Sequence, residues 1–400
     1  MGITCSWLSE DFEPVEALLN LFHVPHPHTN LVIKYLIEEE ILKWNLEGKI
    51  TAITTDNDSN MVLGSRLLKN SLKIERISCA AHTLQLCVKK ALNCDNKIKA
   101  LLEALFNVQG RLREDYPKNL KPIHDVATRW NSTYNSWVRL LNLKKAIIIL
   151  KSHMILDGDP EIRKLTTTLS GRDFVTLSLV VPLIFFLKKK FLELVTYYIN
   201  DENYDNDEFE NENIEPIDSS ELLEESGVPV ETRGLFEKVI LTMYNSLNNY
   251  WSTPSSLAAF ASTLDPHFKA LNFFGVGERE EIKNLLKDDI GGQSNVFDDL
   301  FDNLRELEQG EFEKYFNLPV ASRSVDPFLW WNERKNELPI MSKLARKYLC
   351  MSATSVPSEC LFSDVGNHIT PHRNRLSPDF ISKLIFLKRN SQEINILSFV

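Results

Sequence analysis

Two carboxylates in this chain sit where a polypeptide can hold a divalent cation. Asp56 follows the β-branched run Ile50, Thr51, Ile53, Thr54 and Thr55 and precedes the polar turn Asn57-Asp58-Ser59, so it stands at the end of a strand. In open α/β sheets such ends are where ligands gather, because side chains there point into a crevice. Glu359 lies 303 residues downstream, in Thr354-Ser355-Val356-Pro357-Ser358-Glu359-Cys360-Leu361-Phe362-Ser363. Pro357 marks that stretch as the opening turn of a helix, where no backbone donor is needed. A fold that brings the two acids together could share a pair of divalent cations between them and run phosphodiester chemistry. Each acid also has a structural reading. Asp56 could cap the following helix, although Asp58 and Ser59 are nearer its start. Glu359 could only stabilise its helix dipole, an effect of about 0.3–1 kcal/mol.

The elements that must position these acids alternate in type over about the first eighty residues. Strands are predicted over Gly2–Leu8 and Val15–Val24, followed by the break Pro25-His26-Pro27-His28. Thr29 or Asn30 can cap a helix running to about Asn45, with Leu31, Tyr35, Ile41 and Leu42 on its apolar face. Short strands follow over Ile50–Thr55 and Ile74–Cys79, and helices over Asn60–Lys69 and His82–Leu92. From Ile98 to about Leu318 the period is mostly helical, with clear pieces at Ile98–Leu112, Ser132–Lys151, Asp173–Tyr198, Glu231–Tyr250 and Glu278–Lys287. After Pro319 come a helix over Ile340–Cys350, the Glu359 helix, and Pro378–Arg389 with Phe380, Leu384, Ile385 and Leu387 inward. The expected division is 1–97, 98–319 and 320–400.

Composition narrows the class. At 43% hydrophobic, 400 residues can build a large core in two or three domains. The longest apolar stretch, Phe174 to Leu187, is broken by Pro182 and too short to span a bilayer, so no membrane role is expected. Six scattered cysteines (Cys5, Cys79, Cys87, Cys94, Cys350, Cys360) read as reduced thiols of the nucleus or cytosol. No Cys-x-x-Cys pair faces a His pair, so no structural zinc site is expected. The net charge of −10 is concentrated in 201–226, which holds twelve acidic residues and no lysine or arginine. Setting those twelve aside turns the balance to +2, so the rest of the surface can still carry basic patches. That acidic stretch is expected to be disordered.

Several ordered stretches resemble one family. They are Ala52-Ile53-Thr54-Thr55-Asp56-Asn57 with Ser59-Asn60-Met61; Cys79-Ala80-Ala81-His82-Thr83-Leu84; Asp125-Val126-Ala127-Thr128-Arg129-Trp130-Asn131-Ser132; Leu264-Asp265-Pro266-His267-Phe268-Lys269; and Pro339 through Asn390 with Arg373-Asn374-Arg375-Leu376. Taken together they are similar to the hAT transposases, cut-and-paste DNA enzymes, over essentially the whole chain. The resemblance implies an α/β fold: a ribonuclease H-like mixed sheet interrupted by a large all-α insertion and closed by a C-terminal dimerisation region. It implies that Asp56 and Glu359 are the second and third catalytic acids and ligands of Mg²⁺ or Mn²⁺. Two such cations about 3.5–4 Å apart would activate a water and stabilise the leaving 3′ oxygen. By the same resemblance Cys79 and His82 would lie beside the scissile phosphate, Arg129 would contact phosphate or brace Trp130, and Trp130 would stack on a flipped base. Base stacking of that kind contributes about 1–3 kcal/mol. Cys79, His82 and Trp130 could equally be packing residues.

The departures from the family pattern are specific. The family's first acid belongs to the strand before Gly2–Leu8, and neither Asp11 nor Asp58 occupies its place. The zinc-binding DNA-recognition module usual at the family's N-terminus is not in the sequence, and Cys360 stands where a basic residue often follows the Glu. The leading expectation is therefore a nuclear, DNA-binding and dimerising protein with an incomplete carboxylate set, which binds cations poorly and does not cleave DNA. Its partners would be transposon-end DNA and further copies of itself. Leu344, Leu349, Phe362, Leu384, Ile385 and Leu387 offer apolar area to core and dimer surface alike. Two other readings stand beside it: an active transposase with a misassigned start, and a protein-interaction adaptor using the acidic segment and C-terminal helices.

Overall fold

The computed structural model describes residues 1–24, 26–96, 98–99, 177–200, 235–252, 255–291, 302–358, 361–362 and 377–391. Outside them lie the expected helix Ser132–Lys151, most of Ile98–Leu112, the acidic stretch, Arg129, Trp130 and Glu359. The chain forms two compact units. One contains Met1–Ala81, Leu169–Leu183 and Thr253–Val400, and the other His82–Thr168 and Ile184–Ser252.

The first unit opens with β1 (Gly2–Leu8) and β2 (Pro14–Leu21), paired antiparallel. Helix α1 (Asn30–Lys43) follows, then β3 (Ala52–Thr55), α2 (Ser59–Leu72) and β4 (Glu75–Ser78), with β3 and β4 parallel. Among the described residues the strands form two separate pairs rather than one continuous mixed sheet. One helical layer covers both. Ile3 and Cys5 of β1 and Ile53 of β3 pack on the same cluster, formed by Leu19, Ile33, Ile37, Ile41, Leu46, Leu68 and Ile74.

The helix starts are set by local chemistry. The Thr29 side chain accepts from Val32 N and caps α1, and Asp58 caps α2 by accepting from Asn60 N and Met61 N. The buried face of α1 is not the expected one. Leu31, Tyr35 and Leu42 are exposed, whereas Ile33, Ile37 and Ile41 are buried. These three isoleucines recur every fourth residue and make one stripe along the helix. Among the four residues expected inward, only Ile41 belongs to it.

A bulge between β1 and β2 decides what their other face touches. Ile3 pairs with Asn20 and Thr4 with Leu18, so Leu19 is the extra residue. The insertion resets the strand alternation. Leu18 and Leu21, three apart, both join Leu361 and Ile385, while Leu19 faces the α1 cluster. Ile385 comes from the last described helix, Pro378–Asn390. That helix buries Ile385 and packs Ile381 and Leu384 on the strands, but Phe380 and Leu387, also expected inward, are 52% and 59% exposed. Its final residue, the fully buried Asn390, donates through Nδ2 to Leu18 O (2.8 Å) and accepts at Oδ1 from Leu18 N (2.9 Å). One side-chain amide thus satisfies both peptide groups of a β2 residue, as a neighbouring strand would.

The remaining helices, in chain order, are α3 (Ala80–Leu92), α4 (Val180–Asn200), α5 (Leu235–Tyr250), α6 (Ser256–Leu264), α7 (Val276–Gly291), α8 (Asp302–Asn317), α9 (Pro327–Arg334), α10 (Pro339–Leu349) and the Pro378–Asn390 helix, α11. Helix α6 is the buried axis of the C-terminal part of the first unit. Its end carbonyls would otherwise be orphans. Tyr315 OH donates to Thr263 O (2.9 Å) and the Trp331 indole donates to Leu264 O (2.8 Å), from two side chains that are themselves fully buried. Asp265 follows immediately, buried, and accepts from Ser178 Oγ (2.8 Å), His267 N (3.0 Å) and His267 Nδ1 (2.7 Å). In the second unit, Lys188 Nζ donates to Trp251 O (2.6 Å) and Lys238 pairs with Asp95 at 2.7 Å.

Two expected outcomes test this packing. Replacing Asn390 by Ala strands the Leu18 peptide groups in a dry interface. It should cost about 1–3 kcal/mol in urea unfolding, and no loss would mean that water or a neighbour replaces the amide. The second concerns His267, whose Nε2 lies 3.1 Å from Ser322 O while Nδ1 meets Asp265. Both partners are acceptors, so both bonds require the imidazolium. Hydrogen bonding to Asp265 accordingly raises the His267 pKa above its ordinary value. A raised folded value stabilises fully below the unfolded pKa of about 6.5 and is lost as pH rises through the folded value. His267→Gln should therefore flatten the decline in stability above about pH 6.5, measured as urea midpoint against pH. An unchanged profile would remove His267 as its source.

Candidate functional site

Asp56 is the residue immediately after β3, half-buried, in the turn that leads into α2. Asp58 does the capping of that helix, so Asp56 is not spent there. Instead, Asp56 Oδ1 accepts from Asp58 N at 3.2 Å, an Asx turn that orients the carboxylate. On the neighbouring strand, Arg76 reaches across to the same turn. Its Nε donates to Thr55 Oγ1 (2.8 Å), and its Nη2 to Asp56 O (2.5 Å) and Asn57 Oδ1 (2.8 Å). Burial pushes the guanidinium pKa down, and the Asp56 charge beside it works in the opposite direction.

The chain that leads into Glu359 is stitched to this strand end. Thr54 Oγ1 donates to Ser352 O (2.8 Å), Ala80 N to Ala353 O (2.9 Å), and Ser355 N to Cys79 Sγ (3.3 Å). Towards β1, Ser6 Oγ donates to Cys350 O (3.2 Å), and Thr4 Oγ1 and Ser358 Oγ share a hydrogen bond of 3.2 Å. Cys79 N in turn donates to Thr55 O at 2.8 Å. Residues 350–358 therefore lie across β1, the end of β3 and the start of α3. Residues 356–358 are helical, in keeping with Pro357 at a helix start. Glu359 itself is outside the described residues, as are Arg129 and Trp130.

The structure brings Asp56 and Cys79 to the same strand ends and gives Cys79 a definite task. The thiol is 0% exposed and accepts the Ser355 N–H, so it is spent on holding the 350–358 segment. His82, the third residue of α3, is half-buried. Among the described residues no group of three or more His, Cys, Asp or Glu is placed to hold a metal ion, and no helix is long and apolar enough to cross a membrane. A carboxylate oxygen is nevertheless the donor that Mg²⁺ and Mn²⁺ prefer. Mg²⁺ is commonly held by only one or two carboxylates, with water and substrate phosphate completing the shell. Asp56 fits that chemistry. Arg76 was not singled out from the sequence, where Glu75-Arg76-Ile77-Ser78 reads as an ordinary alternating strand. The usable signal was that alternation puts Arg76 and Ser78 on one face, beside the polar turn after β3.

Comparison with known proteins finds family matches at both ends of the chain. Residues 311–391 match the model of the hAT family C-terminal dimerisation region. Residues 1–83 match that of the ZBED1 RNase-like domain. A Zea mays protein named "Putative AC transposase" is 24% identical over 97% of this chain and 54% of its own length. The Arabidopsis thaliana zinc finger BED domain-containing protein DAYSLEEPER is 22% identical over 96% of this chain and 60% of its own. Human zinc finger BED domain-containing protein 4 is 22% identical over 84% of this chain and 30% of its own. The chain spans about half the length of the maize relatives it matches. With an RNase-like segment that carries Asp56, a C-terminal region that leads through Glu359, and maize relatives aligned along nearly all of it, this chain is similar to the hAT family.

Proposed function

We propose that this chain is a transposase-like, DNA-binding and dimerising nuclear protein. In this reading a ribonuclease H-like core is interrupted by a helical insertion and closed by the C-terminal region. The observation that carries it is the stitching of residues 350–358 to β1, the end of β3 and the start of α3, because that segment runs directly into Glu359. Asp56 and Glu359 would hold Mg²⁺ or Mn²⁺, which supplies Lewis acidity at a phosphodiester when bound. The chain's own residues bind and orient. Asp56 presents a hard oxygen, Cys79 and Thr54 hold the Glu359 segment in place, and Arg129 and Trp130 would meet phosphate and base. Water and DNA phosphate would complete the shell of a cation held by these two carboxylates.

The test couples cation to DNA. Binding of a short duplex should weaken steeply with salt, as phosphate contacts do. The duplex should in turn tighten Mn²⁺ binding, followed by electron paramagnetic resonance. Asp56→Asn and Glu359→Gln should each abolish that tightening while leaving the salt-dependent DNA binding in place. Tightening that survives either change removes that acid from the site. An absence of salt-dependent DNA binding leaves an adaptor role as the better account.

Exposure along α11 singles out one face as the dimer surface. The matched dimerisation region includes α11, on which Phe380 and Leu387 are seven residues apart, share a face and are both exposed. Leu384 instead packs against Leu18, Leu21, Leu361 and Ile385. Changing Phe380 and Leu387 together to Glu should yield folded monomers by light scattering, whereas Leu384→Asp should lower stability. Unaltered assembly in the double variant would move the interface off this face.

A further inference from the structure

We propose that Arg76 is a positioning residue for the cation site at Asp56: its guanidinium fixes the turn that aims the carboxylate. The inference rests on the reading of Asp56 as a metal ligand given above. An arginine carries five N–H donors in a rigid planar fork. Four of the five are engaged here: Nε with Thr55 Oγ1 (2.8 Å), Nη1 with Ser78 Oγ (3.0 Å), and Nη2 with both Asp56 O (2.5 Å) and Asn57 Oδ1 (2.8 Å). Ser78 Oγ adds a bond to Asn57 Oδ1 at 2.9 Å, closing a ring of polar contacts around the turn.

This arrangement separates two roles an arginine could play beside a phosphodiester site. A phosphate hook keeps its fork open to the ligand. The Arg76 fork is spent on three consecutive residues, Thr55, Asp56 and Asn57, and on its strand neighbour Ser78. It also grips the Asp56 peptide oxygen rather than the carboxylate, so it leaves the side chain available to a cation. The direction of that side chain then depends on the turn. Asp56 Oδ1 is held by Asp58 N, and the geometry between residues 56 and 58 is what Arg76 clamps through Asp56 O and Asn57 Oδ1. Metal sites need their ligands held to about 0.5 Å by such supporting contacts. Lysine at this position would keep the charge and lose the fork.

The experiment uses the 400-residue chain as wild type, Arg76→Lys, Arg76→Gln and Asp56→Asn, with Mn²⁺ alone as probe. Mn²⁺ affinity is read by electron paramagnetic resonance, and the rigidity of the turn by amide hydrogen exchange at residues 55–58. Both Arg76 variants should exchange faster in the turn and bind Mn²⁺ at least about tenfold more weakly, as loss of a supporting contact typically does. Should Arg76→Gln fail to fold, Arg76→Lys decides. Turn exchange unchanged in the Lys variant overturns the clamp. Faster exchange with Mn²⁺ affinity at the wild-type level makes Arg76 merely structural. Arg76→Lys indistinguishable from wild type in both readouts shows that charge alone suffices and the fork is irrelevant. If Asp56→Asn matches wild type in Mn²⁺ binding, Asp56 is not a ligand, and the positioning role fails together with the reading it rests on.

Discussion

The first unit depends on a long-range closure. Residues 350–358 return from the far end of the chain and bond to β1, β3 and the start of α3 through Cys350, Ser352, Ala353, Ser355 and Ser358. Two-stranded sheets are marginal by themselves, and the described residues form two of them. What makes them one folded body is cover on both sides. Helices α1 and α2 supply one side, and the returning segment with α11 the other. The contacts of the returning segment are single hydrogen bonds, each contributing about 0.5–1.5 kcal/mol net. Together they fix the path of residues 350–358 more than they add stability. Closure over about 300 residues also means that this packing cannot form until residues 350–358 have folded back.

The Asp265 knot serves the same closure from a distance. Leu177 N donates to Met351 O, so the short 3₁₀ turn Leu177–Leu179 meets the returning segment at its start. Ser178 in that turn donates to Asp265, and Ser262 Oγ donates back to Ser178 O (2.7 Å). Asp265 holds His267, and Lys269, almost fully buried, donates to Tyr315 O and Leu318 O at the end of α8. The Leu264–Lys269 block, which the sequence marks only as a family resemblance, is thus a buried junction. It locks α6, α8 and the 3₁₀ turn into the frame that supports α10 and, through it, residues 350–358.

How much of this could be read from the sequence divides by range. Features set by near neighbours were legible. Thr29 and Asp58 cap their helices as side-chain chemistry dictates, and strand β1 has the expected ends, since both depend on a few adjacent residues. The face of α1 was misread because all of Leu31, Ile33, Tyr35, Ile37, Ile41 and Leu42 are apolar, and only packing chooses among two overlapping stripes. The inward set of α11 was half right for the same reason. Asp56 at a strand end was legible from β-branching and turn residues. Arg76, Asn390 and the role of Cys79 were not, because each acts through a partner that is remote in sequence or on a different strand.

The Asn390 clamp ties the health of the sheet to the helix that carries the exposed stripe. Its amide seals the outer margin of β2, and an unsealed margin of that kind templates fibrous stacking. Damage to α11, whether by truncation, proteolysis or an awkward substitution, would therefore do two things at once: remove a candidate pairing surface and bare a sticky seam. Such lesions would surface in cells as precipitation rather than as well-behaved single subunits.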